Sequence, residues 1–274
     1  MKDISPAPAP LTPEAIAEAL VIVQDVFRQV RPLILKRAGK VGHTDKLDGS
    51  PVTDTDVEVE NIVLAELAQH FPDVPVFGEE TGYADDLPAI CWLVDPIDGT
   101  GSFIQNIPAF TTMAVLIQGG EALASVIYNP STNSVYTAQK GRGAYKNGVR
   151  LDLQQAPLAP TALCKGRFID ALNALLEPKG VTCQVGESGA GHGFSLVAEG
   201  LAAARFNLLG GGYIHDYAPG ALLVREAGGA IIPIKEDIYT YTTRSFIACH
   251  PALELLLRQH IPAIRSLEIN AAAK

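Results

Sequence analysis

Cysteine is scarce in this sequence, and its four copies, Cys91, Cys164, Cys183 and Cys249, are widely scattered. None belongs to a C-x-x-C pair, which argues against zinc, and nothing in their spacing suggests a disulfide framework. A reduced, cytoplasmic setting fits. No apolar run reaches the ~18 residues needed to span a bilayer. The N-terminus, MKDISPAPAPLTPE, is Pro/Ala-rich and lacks the apolar core of a signal peptide, so a soluble chain with no membrane partner is expected. Positive charge is also in short supply. The formal net charge of −9 argues against a nucleic-acid binder, whose affinity rests on Lys and Arg against phosphates. It does not exclude a small anionic substrate, because a metal or a helix end inverts the local field. Lys and Arg are missing altogether between Phe71 and Lys140.

What remains is globular: 274 residues, 47% hydrophobic and 19% charged, enough for a sizeable core. Thr12-Pro13-Glu14 reads as an N-cap and first turn, and Ile16, Leu20, Val23, Phe27, Val30 and Ile34 follow at helical spacing before Gly39 and Gly42. KLDGSPVTDTD is a loop. A second helix opens near Thr53 to Thr55, with Val59, Ile62, Val63 and Leu67 on its apolar face, and Phe71-Pro72 stops it. Val74 to Phe77 is a short strand. TTMAVLIQ, ALASVIYN and SVYTAQK read as antiparallel hairpin strands because their spacers are short. Beyond Pro160 the pattern predicts helices over Phe168–Leu176, Gly193–Ala203, Ala218–Ala227 and Pro251–His260, and strands over Ala230–Ile234 and Ser245–Ala248. There is no internal repeat. Helices and strands interleave, which predicts layered helices and sheets in one domain with two sub-layers, about 12–155 and 156–270.

One stretch carries chemistry. In WLVDPIDGTGSF, a strand-like run ends in Asp95 and Asp98, followed by Gly99, Thr100 and Gly101. Taken alone, D-x-x-D is an ordinary type I turn. Crowded carboxylates repel unless a cation sits between them, and the local sequence supplies none. Oxygen-only ligands suit Mg²⁺, Mn²⁺ or Ca²⁺, with the Ile97 carbonyl as a further donor. The small residues after Asp98 let backbone N–H groups approach an anion. Metal and anion together suggest metal-bound phosphate. Glu79-Glu80 also follows a strand, although GEE alone reads as a solvated strand end. Thr53-Asp54-Thr55-Asp56 lies at a helix start, where Thr and Asp are ordinary caps. His215-Asp216 precedes the helix at Ala218, where Asp216 reads as a plain N-cap and His215 as a half-buried histidine.

WLVDPIDGTGSF, with GEE upstream and D-x-A-x-G downstream, resembles the inositol monophosphatase family of Mg²⁺-dependent, lithium-sensitive phosphatases. The motifs run in order from about Thr53 to Gly229, with GRGAYKNG between them. The resemblance implies an α+β fold, a layered α-β-α-β-α sandwich, assembled as a homodimer. It implies two or three Mg²⁺ ions, or Mn²⁺ in their place. Glu79, Asp95 and the Ile97 carbonyl would hold the first, and Asp95, Asp98 and Asp216 would share the second. Asp56 and Thr100 would activate the attacking water, with Glu79 close by. Asp98, Gly99, Thr100, Asn207 and Asp216 would surround the substrate phosphate and its alcohol.

Several residues depart from the family pattern. His215 stands where Trp is usual, and Pro219, read as a first-turn proline, where Ala is common. Asn207 stands where inositol-selective members carry a glutamate. Gly186 to Gly193, GESGAGHG, reads as a glycine-rich rim able to admit several shapes, and GTGSF leans toward the histidinol-phosphate branch. Inositol monophosphate is the default substrate. Histidinol phosphate, a sugar phosphate or a nucleotide 3′-phosphate are the alternatives, as is a regulatory partner-binding protein that retains the site.

Overall fold

The structure, a computed structural model, describes residues 10–46, 49–83, 87–186 and 189–272. Most of the Pro/Ala-rich start, residues 47–48 of the KLDGSPVTDTD loop and residues 187–188 of the GESGAGHG stretch lie outside these described residues. Two helices open the fold: α1 (Pro13–Arg37), capped by Thr12, and α2 (Asp54–His70), capped by Thr53. A small hairpin, β1 (Thr44–Asp45) and β2 (Pro51–Val52), lies between them. A seven-stranded sheet follows, built in order from β3 (Val76–Gly78), β4 (Ile90–Asp98), β5 (Thr111–Gln118), β6 (Glu121–Asn129), β7 (Ser134–Gln139), β8 (Gly143–Lys146) and β9 (Val149–Leu151). A short helix, α3 (Thr100–Ile104), follows β4. From β4 onward the neighbours are antiparallel, as the short spacers predict, and only β3–β4 is parallel.

The second half adds β10 (Thr161–Cys164), α4 (Ile169–Leu176), β11 (Thr182–Val185), α5 (Ala190–Ala198), β12 (Ala204–Asn207), α6 (Ile214–Glu226), β13 (Ala230–Pro233), β14 (Phe246–Cys249), α7 (Pro251–Gln259) and α8 (Ile261–Ala272). Its five strands form a sheet in the order β11-β10-β12-β14-β13.

Side-chain alternation along the strands builds the layers. On β4, Trp92 and Val94 join Val23, Phe27 and Val63 in the core under α1 and α2. Cys91 and Leu93 point the other way, into a core shared with Phe194 of α5 and Ala218 and Leu222 of α6. On β14, Phe246 and Ala248 enter that same middle core, whereas Ile247 and Cys249 meet Leu172, Leu253 and Leu257 under α4 and α7. The result is an α-β-α-β-α sandwich with α5 and α6 between the two sheets.

Three expectations for the second half need correction. α5 spans Ala190–Ala198 rather than Gly193–Ala203, and Gly200, at φ +74°, turns the chain toward β12. α6 begins at Ile214, a turn before Ala218, so Pro219 lies in the helix interior and not in its first turn. The strands β10, β11 and β12 and the helix α8 were not expected from the sequence. No helix among the described residues is long and apolar enough to cross a membrane.

Candidate active site

Residues three apart on a regular strand face opposite sides of the sheet. Asp95 and Asp98 nevertheless converge, because the register of β4 against β5 slips between them: Asp95 pairs with Met113, but Asp98 pairs with Thr111. Such a bulge inserts one extra residue and turns the second carboxylate to the first one's side. Pro96 is tolerated there because a bulge needs no ladder N–H from it, and Thr112 Oγ1 donates to the Pro96 carbonyl at 2.9 Å.

The parallel pairing of β3 with β4 sets Gly78 beside Val94, and the Glu79 amide donates to the Val94 carbonyl at 3.1 Å. Glu79 therefore leaves its strand beside Asp95. α6 brings the remaining groups. Asp216 is not the N-cap; it lies in the first turn and accepts from the Tyr213 amide at 2.5 Å. Ligand atoms of Asp95, Asp98 and Asp216 lie within 4.8 Å of one another, and so do those of Glu79, Asp95 and His215. Asp95 belongs to both groups.

Asp95 is 1% exposed, yet neither of its carboxylate oxygens has a hydrogen-bond partner. Burial and the charges of Glu79, Asp98 and Asp216 hold its pKa well above the usual range. A buried carboxylate so poorly supported fits a bound cation, and the oxygen-rich donor set fits a hard divalent one. Asp98 differs: Thr111 Oγ1 donates to it at 2.9 Å, and the Ala190 and Gly191 amides each donate at 2.8 Å. Burial, with repulsion from Asp216, still pushes it up to about 7. Burial raises Asp216 to about 6.

The amides on Asp98 come from the glycine-rich stretch Gly186 to Gly193, of which residues 189–193 are described on this side. Ala190 and Gly191 are fixed to Asp98, and the glycines are there for close approach. A Cβ at Gly189 would meet the Ala109 carbonyl at 2.4 Å, and one at Gly191 would meet Met113 Sδ at 2.4 Å. Gly99, at φ +83°, has the Gly189 Cα 2.8 Å from where its own Cβ would stand.

Asp56 is buried in the first turn of α2. It accepts from the Thr53 amide and hydroxyl and from Thr100 Oγ1, the last at 3.1 Å. Thr100 Oγ1 also lies 3.1 Å from the Ile97 carbonyl. Burial raises the Asp56 pKa, against the lowering effect of these bonds.

Four groups at the site were missed from the sequence. Lys46 comes from outside the cation-free stretch and contacts Glu79 at 2.7 Å and Glu80 at 2.8 Å. Burial works against its charge, but the two glutamates outweigh burial and raise its pKa. Burial in turn pushes Glu80 up to about 7. The absence of local cations thus did not hold in space, although Lys46 leaves Asp95 unserved. Glu60 is buried and accepts from the Glu80 and Thr81 amides at 2.7 Å each; its i,i+4 spacing from Asp56 on α2 was the available signal. Tyr83 bonds His215, and Arg205 is half-buried with its guanidinium over the Phe194 ring at 5.1 Å. Asn207 is buried at the end of β12 and donates to the Arg244 carbonyl at 2.6 Å.

Carboxylates gathered at strand and helix ends beside a Thr–Asp pair form groups that could hold a metal ion, as a metal-dependent phosphatase would need. Residues 9–266 match the model of the inositol monophosphatase family, and the chain belongs to that family. The 3′(2′),5′-bisphosphate nucleotidase CysQ of Escherichia coli (strain K12) is 33% identical over 209 residues, which cover 73% of this chain and 82% of the relative. The inositol-1-monophosphatase of Rhizobium meliloti (strain 1021) is 32% identical over 227 residues, which cover 76% and 82%. Among solved structures, an IMPase of Thermotoga maritima superposes with a TM-score of 0.79 at 22% identity, covering 90% of this chain and 98% of that one. The chain is a phosphatase of this family with its layered fold.

Proposed function

We propose that the chain is a Mg²⁺-dependent phosphomonoesterase acting on a small phosphate monoester, with inositol monophosphate as the default substrate, and that it works as a homodimer. The observation that carries this reading is Asp95: buried, with neither oxygen bonded, and flanked by Glu79, Asp98 and Asp216. Glu79, Asp95 and the Ile97 carbonyl would hold one ion, and Asp95, Asp98 and Asp216 a second. Divalent ions so held would supply Lewis acidity to the phosphate and acidify the attacking water.

The chain's own groups do the rest. Thr100 donates to Asp56 and so turns its oxygen lone pairs toward the water. Asp56, its basicity raised by burial, takes up the proton, with Glu79 close by. The left-handed backbone at Gly99 presents the Gly99 and Thr100 amides to the non-bridging phosphate oxygens. Three donors fix Asp98, which keeps its face of the site in place before substrate arrives. Asn207 faces the alcohol.

One observation favours a second reading. A cleft of about 290 Å³ is lined by Lys165, Gly186, Arg205 and Asn207. Lys165 and Arg205 put two basic side chains on its wall, and burial, with the charges of Arg167 and Arg205, holds Lys165 below its ordinary pKa. Such a wall suits a leaving group carrying a second anion, as in a nucleotide bisphosphate.

Comparing kcat/KM for inositol 1-phosphate, histidinol phosphate, glycerol 2-phosphate and adenosine 3′,5′-bisphosphate, with Mg²⁺ and with or without Li⁺, tests both readings. The default predicts Mg²⁺-dependent, Li⁺-inhibited release of phosphate from inositol 1-phosphate. A preference above about 10³-fold for the bisphosphate, the scale of a built polar pocket, would select the second reading. No release from any of the four would overturn both.

A further inference from the structure

We infer that His215 is itself a metal ligand, giving the Glu79–Asp95 ion a nitrogen donor and shifting the site's preference from Mg²⁺ toward Mn²⁺ and other transition metals. The inference rests on the metal-dependent reading above and adds a ligand to it. Its first support is position. His215 Nε2 lies 3.9 Å from Glu79 Oε2 and 3.9 Å from Asp216 Oδ2. These separations are too long for hydrogen bonds. They suit ligands of one ion: donors about 2.1 Å from a shared centre stand roughly 3.0 Å apart at right angles and roughly 4.2 Å apart when opposed. A ring nitrogen of His215 falls within 4.8 Å of an Asp95 oxygen.

The second support is that the nitrogen is otherwise idle. His215 is 2% exposed, and its Nε2 has no hydrogen-bond partner. A buried polar atom left unpaired is costly, so an idle nitrogen turned into a carboxylate group calls for an occupant.

The third support is orientation. The Tyr83 hydroxyl lies 3.0 Å from His215 Nδ1. In the tautomer whose Nδ1–H donates to Tyr83, the Nε2 lone pair faces the carboxylates, the arrangement in which outer partners orient ligating histidines. Tyr213 stacks on the imidazole at 5.5 Å and Tyr83 meets it edge-on at 5.8 Å, so the ring has one orientation. Imidazole suits transition metals better than Mg²⁺, which favours carboxylate, carbonyl and water.

Pulsed EPR of Mn²⁺ bound to the full chain tests this without an activity assay. The wild-type protein is expected to show the nitrogen coupling of a directly bound imidazole, and His215→Gln to lose it. Titration should show Mn²⁺ affinity falling about tenfold or more in His215→Gln, with Mg²⁺ affinity changing less than about threefold. Mn²⁺ bound to the wild-type chain without imidazole coupling would overturn the proposal and needs no variant to fold. Coupling that persists in His215→Gln would overturn it as well. Failure of the wild-type chain to bind Mn²⁺ at all would instead overturn the metal-site reading beneath it, and the proposal with it.

Discussion

Thr100 and Asp56 are joined by a single 3.1 Å hydrogen bond, and the proposed chemistry makes a sharp demand of it. A group that helps move a proton only in the transition state contributes to kcat and little to ground-state binding. Thr100→Ala should therefore lower kcat by about 10²–10⁴-fold and leave KM nearly unchanged. Steady-state kinetics with saturating Mg²⁺ checks this, and an unchanged kcat would leave Thr100 as a helix-start residue only. The carboxylates make a second demand, on stability. Asp98 at about 7 and Asp216 at about 6 both sit above the unfolded value near 4. Between those limits these two groups hold more protons in the folded, metal-free chain than in the unfolded one, so their contribution to stability falls as pH rises, opposed only below about pH 6.5 by His215, whose pKa burial lowers to about 4. Melting temperature in chelator should decline from about pH 5.5 to about pH 7.5, a window in which ordinary carboxylates no longer titrate. Protection by Mg²⁺ should grow over the same range, because the ion competes with those protons. A flat profile in chelator would contradict the placement of these groups. At this scale much was legible: Asp95, Asp98, Glu79, Asp56 and Asp216 could be picked out because acids stood at element ends. Lys46 could not, since its partners lie 33 and 34 positions away.

The turn after β3 shows how one element holds another's proposed ligand, Glu79, in place. Glu60 on α2 receives both the Glu80 and Thr81 amides, and a Cβ at Gly78 would sit 2.2 Å from the Glu60 carboxyl carbon, so only glycine fits. Glu60→Ala leaves two amides unserved and should cost about 1–3 kcal/mol in denaturant unfolding of the metal-free protein. Weaker Mg²⁺ binding through the displaced Glu79 should accompany it, and Glu60→Gln, which keeps an acceptor, should lose less. Equal losses for the two variants would argue against the hydrogen-bonding role. Legibility at the level of elements followed the amount of apolar patterning. β4 to β7 and α1 stand out because large side chains recur at strand or helix spacing. α5 is AGHGFSLVA, too small and glycine-rich to mark its own start, and it is fixed by tertiary bonds from Ala190 and Gly191 to Asp98. α6 hid its first turn because Pro219 reads as a helix opener, yet here it sits in the interior.

At the scale of the molecule, the two sheets enclose α5 and α6, and the candidate site lies where β3, β4, α2, α5 and α6 bring their ends together. The layering could be anticipated from interleaved helices and strands, but the pairing of β10, β11 and β12 could not, because short runs such as TALC and TCQV carry little periodicity. The convergence of Asp95 with Asp98 depends on the bulge in β4, which no strand period reveals. Asp98 leaves this convergence with three donors and Asp95 with none. Asp95→Asn removes its charge and keeps its shape, so the metal-free variant should melt no lower than the wild type, and higher if relief of repulsion outweighs the unpaired amide. The most direct test is phosphate release from inositol 1-phosphate, measured against Mg²⁺ concentration for the wild type and for Asp95→Asn. The account predicts saturable activation by Mg²⁺ in the wild type, none in excess chelator, and no turnover in a folded Asp95→Asn. Full turnover in chelator, or in Asp95→Asn, would contradict it.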